Sequence, residues 1–175
     1  MRNSLSKVKG ERNRLSMKIT VIGIGQSLRG DDAVGLEAVR RWRENYPETA
    51  NLPDLEVGER ENPGLVLLDL LDGSDAAILV DAVKSSAAPG TIHRLSIDQL
   101  SSFTADSKSA HGWGVAESIH LDRILNPLKQ AIPIHLIGVE AAQLQMGSGL
   151  SRMVEQILPE VCESIQKEVQ NLLTR

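Results

Sequence analysis

An eight-residue run, Ala76 to Val83 (AAILVDAV), is apolar at every position except Asp81. A strand with one wet face alternates apolar and polar residues, so a continuous apolar run of this length suits a strand buried on both faces. Such a strand needs cover above and below, and the rest of the chain supplies it. Lys18–Gly23 and Ile132–Glu140 (IPIHLIGVE) are further β-rich runs, Leu55–Glu59 is a weaker one, and IHRLSI, from Ile92, is a fifth. Helix signals lie between them. Asp31 is placed to cap a helix running to about Tyr46, stopped by Pro47. Asn62 stands at an N-cap position with Pro63 at the first helical position and Gly73 past the end. A helix is predicted over Gly114–Leu125, ended near Pro127, after a polar loop from about Gln99 to Ala110. A long terminal helix is predicted from about Ser151, with Pro159 expected to kink it.

Alternating strands and helices imply a mostly parallel sheet between helix layers. One connection breaks the alternation. Lys84–Thr91 is only eight residues, too few for a crossover, which needs about a dozen or more. The strand that follows should therefore run antiparallel, near a sheet edge. The expected fold is a three-layer α/β/α sandwich on a mixed five-stranded sheet, mostly parallel with one antiparallel strand.

The 175 residues suffice for one domain with a sizeable core. Only Trp42, Trp113, Tyr46 and Phe103 are aromatic, which makes the core aliphatic and argues against a base-stacking nucleic-acid surface. Cys162 is the one cysteine, which excludes an internal disulfide and a cysteine-rich zinc site and fits a reducing cytoplasm. No apolar run reaches membrane-spanning length. Neither nucleic acid nor membrane is expected as a partner. Residues 1–16 carry Arg2, Lys7, Lys9, Arg12 and Arg14 against Glu11, a net of +4, and lack the apolar stretch of a secretory signal. They are expected to be a disordered basic extension, with one domain over 17–175. A basic arm for an acidic partner is the other reading.

The segment VIGIGQSLRGDDAVG, from Val21, has the outline of a strand, a glycine turn and a helix. A dinucleotide fingerprint needs a third glycine where Leu28 stands, and an acidic residue about 20 positions on, which Glu59 is too distant to be. No Gly-Lys-Ser/Thr follows, so a phosphate loop of that kind is also absent. Asp31 and Asp32 would repel a phosphate at the helix entrance. Acidic residues in a first turn gain about 0.3–1 kcal/mol from the helix dipole, which accounts for Asp31. Asp32 is open to two readings, a solvated carboxylate or a functional one.

Ligands of open α/β sheets collect at the carboxyl ends of the strands. Asp32 follows the first strand, Asp81 ends the most apolar strand, and His111 sits among small residues in SAHGWG at the end of the polar loop. Two carboxylates and an imidazole suit a divalent transition metal with open coordination positions. Each has an ordinary alternative: Asp81 as a turn cap, His111 as a loop histidine. His93, His120 and His135, in predicted strands and a helix, read as structural. No G-x-S-x-G elbow is present, and Cys162 reads as a core residue of the terminal helix, so a serine or cysteine hydrolase is not expected.

The chain from Met17 to its end resembles the maturation endopeptidases of nickel–iron hydrogenases. VIGIGQSLRGDDAVG is similar to that family's opening glycine–acidic motif, AILVDAV with APGT to its central strand and turn, and AHGWGVAE to its histidine motif. LIGVEAAQL with GLSRMVEQILPEV resembles its last strand and helix. The resemblance implies removal of a C-terminal peptide from a hydrogenase large-subunit precursor after nickel insertion, with Asp32, Asp81 and His111 as both the metal-contacting and the catalytic residues. The nickel is then carried by the precursor. A non-catalytic metal- or nucleotide-binding α/β module is the alternative. Two positions depart from the family pattern: Gln26 replaces the usual asparagine, and GERENPG (58–64) replaces a loop rich in glycine and threonine. Both bear on substrate details rather than on the metal triad.

Overall fold

The structure, a computed structural model, describes residues 17–96, 99, 115–126 and 132–174. Five strands form one sheet: β1 (Ile19–Gly25), β2 (Leu55–Glu61), β3 (Ala76–Val83), β4 (Ile92–Ser96) and β5 (Ile134–Glu140), in the order β2-β1-β3-β5-β4. The pairs β1–β2, β1–β3 and β3–β5 are parallel. β4 is antiparallel to β5 and lies at the edge, as the short connection before it requires.

Alternation along each strand sends side chains to two different cores. In β3, Ala76, Ile78, Val80 and Ala82 join one core, while Ala77 and Leu79 join the other. That is why the run is apolar without a break. Helices α1 (Val34–Asn45) and α5 (Arg152–Leu173) cover the first face. In α5, Val154, Leu158, Val161, Cys162, Ile165, Val169 and Leu172 recur at helical spacing and form its buried stripe. On the second face, Leu67 of α3 (Val66–Leu70) and Ile119 of α4 (Val115–Leu125) pack on Ile22, Ile24, Leu79 and Leu136. A short helix, α2 (Pro47–Ala50), follows α1, so Pro47 ends one helix and opens the next.

Three expectations are corrected. Asp31 caps no helix: a 3-10 turn, Gly30–Ala33, precedes α1, and no side-chain cap bond is made there. Asn62 and Pro63 do not start α3, because Asn62 (φ 43°) and Gly64 (φ 49°) take the left-handed conformation and the helix begins only at Val66. β2 runs two residues further than expected, since Arg60 and Glu61 still pair with Ile24 and Gly25. The terminal helix runs unbroken through Pro159, which sits on its exposed side. The predicted extension 1–16, most of the polar loop, His111, Gly114 and Pro127 lie outside the described residues. No helix among the described residues is long and apolar enough to cross a membrane.

Candidate active site

β1 and β3 are parallel neighbours with Gly23 opposite Val80, so both end on the same edge of the sheet. What brings the next turn against that edge is a set of glycines. A Cβ on Gly25 would lie 2.0 Å from the Asp32 carbonyl oxygen, and one on Gly23 would lie 2.3 Å from that of Gly35. A Cβ on Gly35 would lie 2.2 Å from the Val80 oxygen and 2.3 Å from that of Ile24. No side chain fits in these gaps. The glycines therefore serve contact between backbone and backbone, with α1 laid directly on β1 and β3, rather than approach to a pyrophosphate.

The 3-10 turn so placed carries Asp31 and Asp32, both 0% exposed. Their surroundings differ. The Asp31 carboxylate accepts main-chain N–H groups of Ala142, Gln143 and Ser151. Asp32 lies one residue further along, its N–H donating to the Arg29 carbonyl at 3.2 Å and its own carbonyl against Gly25. On the neighbouring strand Asp81 is 6% exposed, and its Oδ1 accepts the Ala82 N–H at 2.8 Å. That bond lies within β3, which continues to Val83, so Asp81 caps no turn there. Asp32 and Asp81 come from adjacent strand ends on one edge. The third predicted residue, His111, is outside the described residues. Among the described residues no group of three His, Cys, Asp or Glu side chains is arranged to hold a metal.

Two neighbouring carboxylates escaped the sequence reading. Glu140, at the end of β5 and fully buried, accepts the Ser85 N–H at 2.6 Å and the Ser85 hydroxyl at 2.7 Å, and lies 3.2 Å from His93 Nε2. It braces the short turn that makes β4 antiparallel. Its signal was the one that marked Asp81, a charge closing an apolar strand. Glu61, opposite Gly25 in the register, accepts the Ser27 N–H at 3.3 Å. The Ser27 hydroxyl and N–H hold its carboxyl below the usual carboxylate range.

His135 and Cys162 have structural surroundings. His135 Nδ1 lies 3.0 Å from Glu168, and His120 is exposed on α4. Cys162 is buried with its Sγ 3.6 Å from the Ala38 carbonyl, and burial pushes the thiol up to about 11, the opposite of a nucleophile's requirement. A cavity of about 320 Å³ lies at the other edge of the sheet, lined by Ser74 and Asp75 ahead of β3 and by Pro133 ahead of β5. Ligands of such sheets bind at the carboxyl ends, the edge of Asp32 and Asp81.

Residues 58–168 match the family model described as hydrogenase maturation protease. The chain is 30% identical over 153 residues to the hydrogenase expression/formation protein HupD of Thiocapsa roseopersicina, covering 85% of this chain and 66% of that protein, just under two thirds of its length. It is 28% identical over 151 residues to the hydrogenase 2 maturation protease of Escherichia coli K12, covering 85% of this chain and 88% of that one. In fold it is similar to the hydrogenase maturating endopeptidase HybD from E. coli, with a TM-score of 0.75 at 24% identity, over 89% of this chain and 93% of the other.

Proposed function

The chain belongs to the hydrogenase maturation protease family, and on that premise we propose that it removes the C-terminal peptide of a nickel–iron hydrogenase large-subunit precursor once nickel has been inserted. Asp32, Asp81 and His111 supply ligands to nickel carried by the precursor. The observation that supports this reading is a pair of buried carboxylates, Asp81 near the carboxyl end of β3 and Asp32 in the turn packed against Gly25 at the end of the neighbouring β1. A buried carboxylate is costly unless it is hydrogen-bonded, paired or given a cation. Carboxylate oxygen and imidazole nitrogen are ordinary donors to a divalent transition metal.

Recognition and quality control are then one event. A precursor without nickel offers the three side chains nothing to hold, so an irreversible cut waits for metal insertion. Hydrolysis draws on the cation's ability to polarise a carbonyl or acidify a water. Asp32 is the first choice for a general base.

The test is the mass of the large subunit after incubation with the purified chain, with nickel-loaded and with nickel-free precursor. The peptide should be lost only from the loaded form. Asp32→Asn, Asp81→Asn and His111→Ala, each checked as folded by its melting curve, should leave the precursor intact. Normal cleavage by all three variants would sink the assignment. A peptide left attached by the unaltered chain would instead mark a scaffold that holds metal without cutting.

A further inference from the structure

Asp31 has no place in the proposed nickel site, yet it is as deeply buried as Asp32. Its Oδ2 accepts the N–H groups of Ala142 and Gln143 at 2.8 and 3.0 Å, and its Oδ1 accepts that of Ser151 at 2.5 Å. All three donors lie on the segment that leaves β5 and enters α5. Ser151 is the N-cap of α5, its own Oγ accepting the Val154 N–H at 3.4 Å. The two segments are also joined main chain to main chain. Asp31 N–H donates to Gln143 at 3.0 Å, Gly30 N–H to Ser148 at 3.0 Å, and Gly147 N–H to Leu28 at 2.7 Å. Gly30 has a φ of 60°, and a Cβ there would stand 2.9 Å from the Gln143 oxygen, so the approach depends on glycine.

A helix cap uses a short polar side chain to satisfy donors of its own helix. Asp31 does something else. It spends a buried charge on three donors more than a hundred residues away, and charge-assisted bonds of this kind are about twice as strong as neutral ones. The turn carrying Asp32 is thereby held from two sides: on one by Gly25 and Gly35 against the strands, on the other by Asp31 against the β5–α5 segment. The residue between those anchors is Asp32.

We propose that Asp31 is a positioning residue, clamping the turn to the β5–α5 segment so that the Asp32 carboxylate is held where the precursor's nickel arrives. This rests on the reading of Asp32 given above and adds a residue to it. The test compares Asp31→Ala, Asp31→Asn and, as a control on the underlying reading, Asp32→Asn. Processing of nickel-loaded precursor is followed well below each variant's melting midpoint. Amide hydrogen exchange at Gln143 and Ser151 is followed alongside. Misplacement of a reacting group by about an ångström costs on the order of 100-fold, so kcat should fall by roughly that factor in Asp31→Ala. Asp31→Asn keeps one acceptor oxygen and should lose less, with KM within about twofold of the unaltered chain for both. Protection at Gln143 and Ser151 should fall in the same order as kcat.

If both variants cleave at the original rate and differ only by a lower melting midpoint, Asp31 is a brace and the proposal is overturned. A rise in KM alone would also overturn it, by making the segment a precursor contact. Should Asp31→Ala not fold, Asp31→Asn decides by the same criteria. Cleavage at full rate by Asp32→Asn would bring down the nickel reading itself, a result separable from either outcome at Asp31.

Discussion

Asp31 and Asp32 are adjacent in sequence and equal in burial. Asp31 accepts main-chain N–H groups of Ala142, Gln143 and Ser151 on another segment, whereas the Asp32 carbonyl lies against Gly25, the last residue of β1. Cys162 shows the converse, a reactive group disarmed by its place. Held 3.6 Å from the Ala38 carbonyl in the core, its thiol is pushed up by burial to about 11 from an ordinary value of 9.0. The folded value is the raised one. The group's contribution to stability is therefore complete below about pH 9 and is lost as pH rises towards 11. Melting midpoints of the unaltered chain and of Cys162→Ala should thus converge over that interval. Alkylation of the thiol near pH 8 should be slow in the folded chain and fast in urea.

At the level of elements, the junction of β1, α1 and β3 depends on the absence of three side chains. Gly35→Ala puts a methyl 2.2 Å from the Val80 carbonyl and 2.3 Å from that of Ile24. Both are backbone atoms that cannot swing aside, so α1 must lift off the sheet. Overpacking of this kind costs about 3 kcal/mol, read as a lower denaturant midpoint, and it carries Asp32 away from the strand edge. Most elements were legible because their signals are local. β3 appeared with its full extent, and the eight-residue connection correctly required an antiparallel β4. α3 was misplaced because the Asn62–Pro63 signature describes a cap, while Asn62 is tied by its N–H to the end of β1 and takes a left-handed conformation. The Asn62 N–H donates to Gly25 at 3.3 Å, and the left-handed turns at Asn62 and Gly64 come before the helix. Local propensity lost to sheet pairing.

For the molecule as a whole, two cores share one strand. Leu79 of β3 packs under α3 and α4, and Leu158 of α5 packs on the opposite face, against a core that includes Ile78 and Val80 of the same strand. Leu79→Ala and Leu158→Ala should each cost about 3 kcal/mol and shift one common unfolding transition. Two separate transitions in a denaturant titration would show that the layers melt independently. The sequence by itself determined the layered architecture, because alternation, helical spacing and connection length are properties of neighbouring residues. It also marked Asp32 and Asp81, a charge at a glycine turn and a charge in an apolar strand. The tertiary structure alone decided that Asp31 is the aspartate of the pair that ties the turn to the β5–α5 segment. It decided as well that Glu140 closes on Ser85 and His93. Those choices are made by partners lying 111 to 120 residues from Asp31 and about 50 from Glu140, and pairing at that range is set by which strand ends meet, which no local pattern encodes.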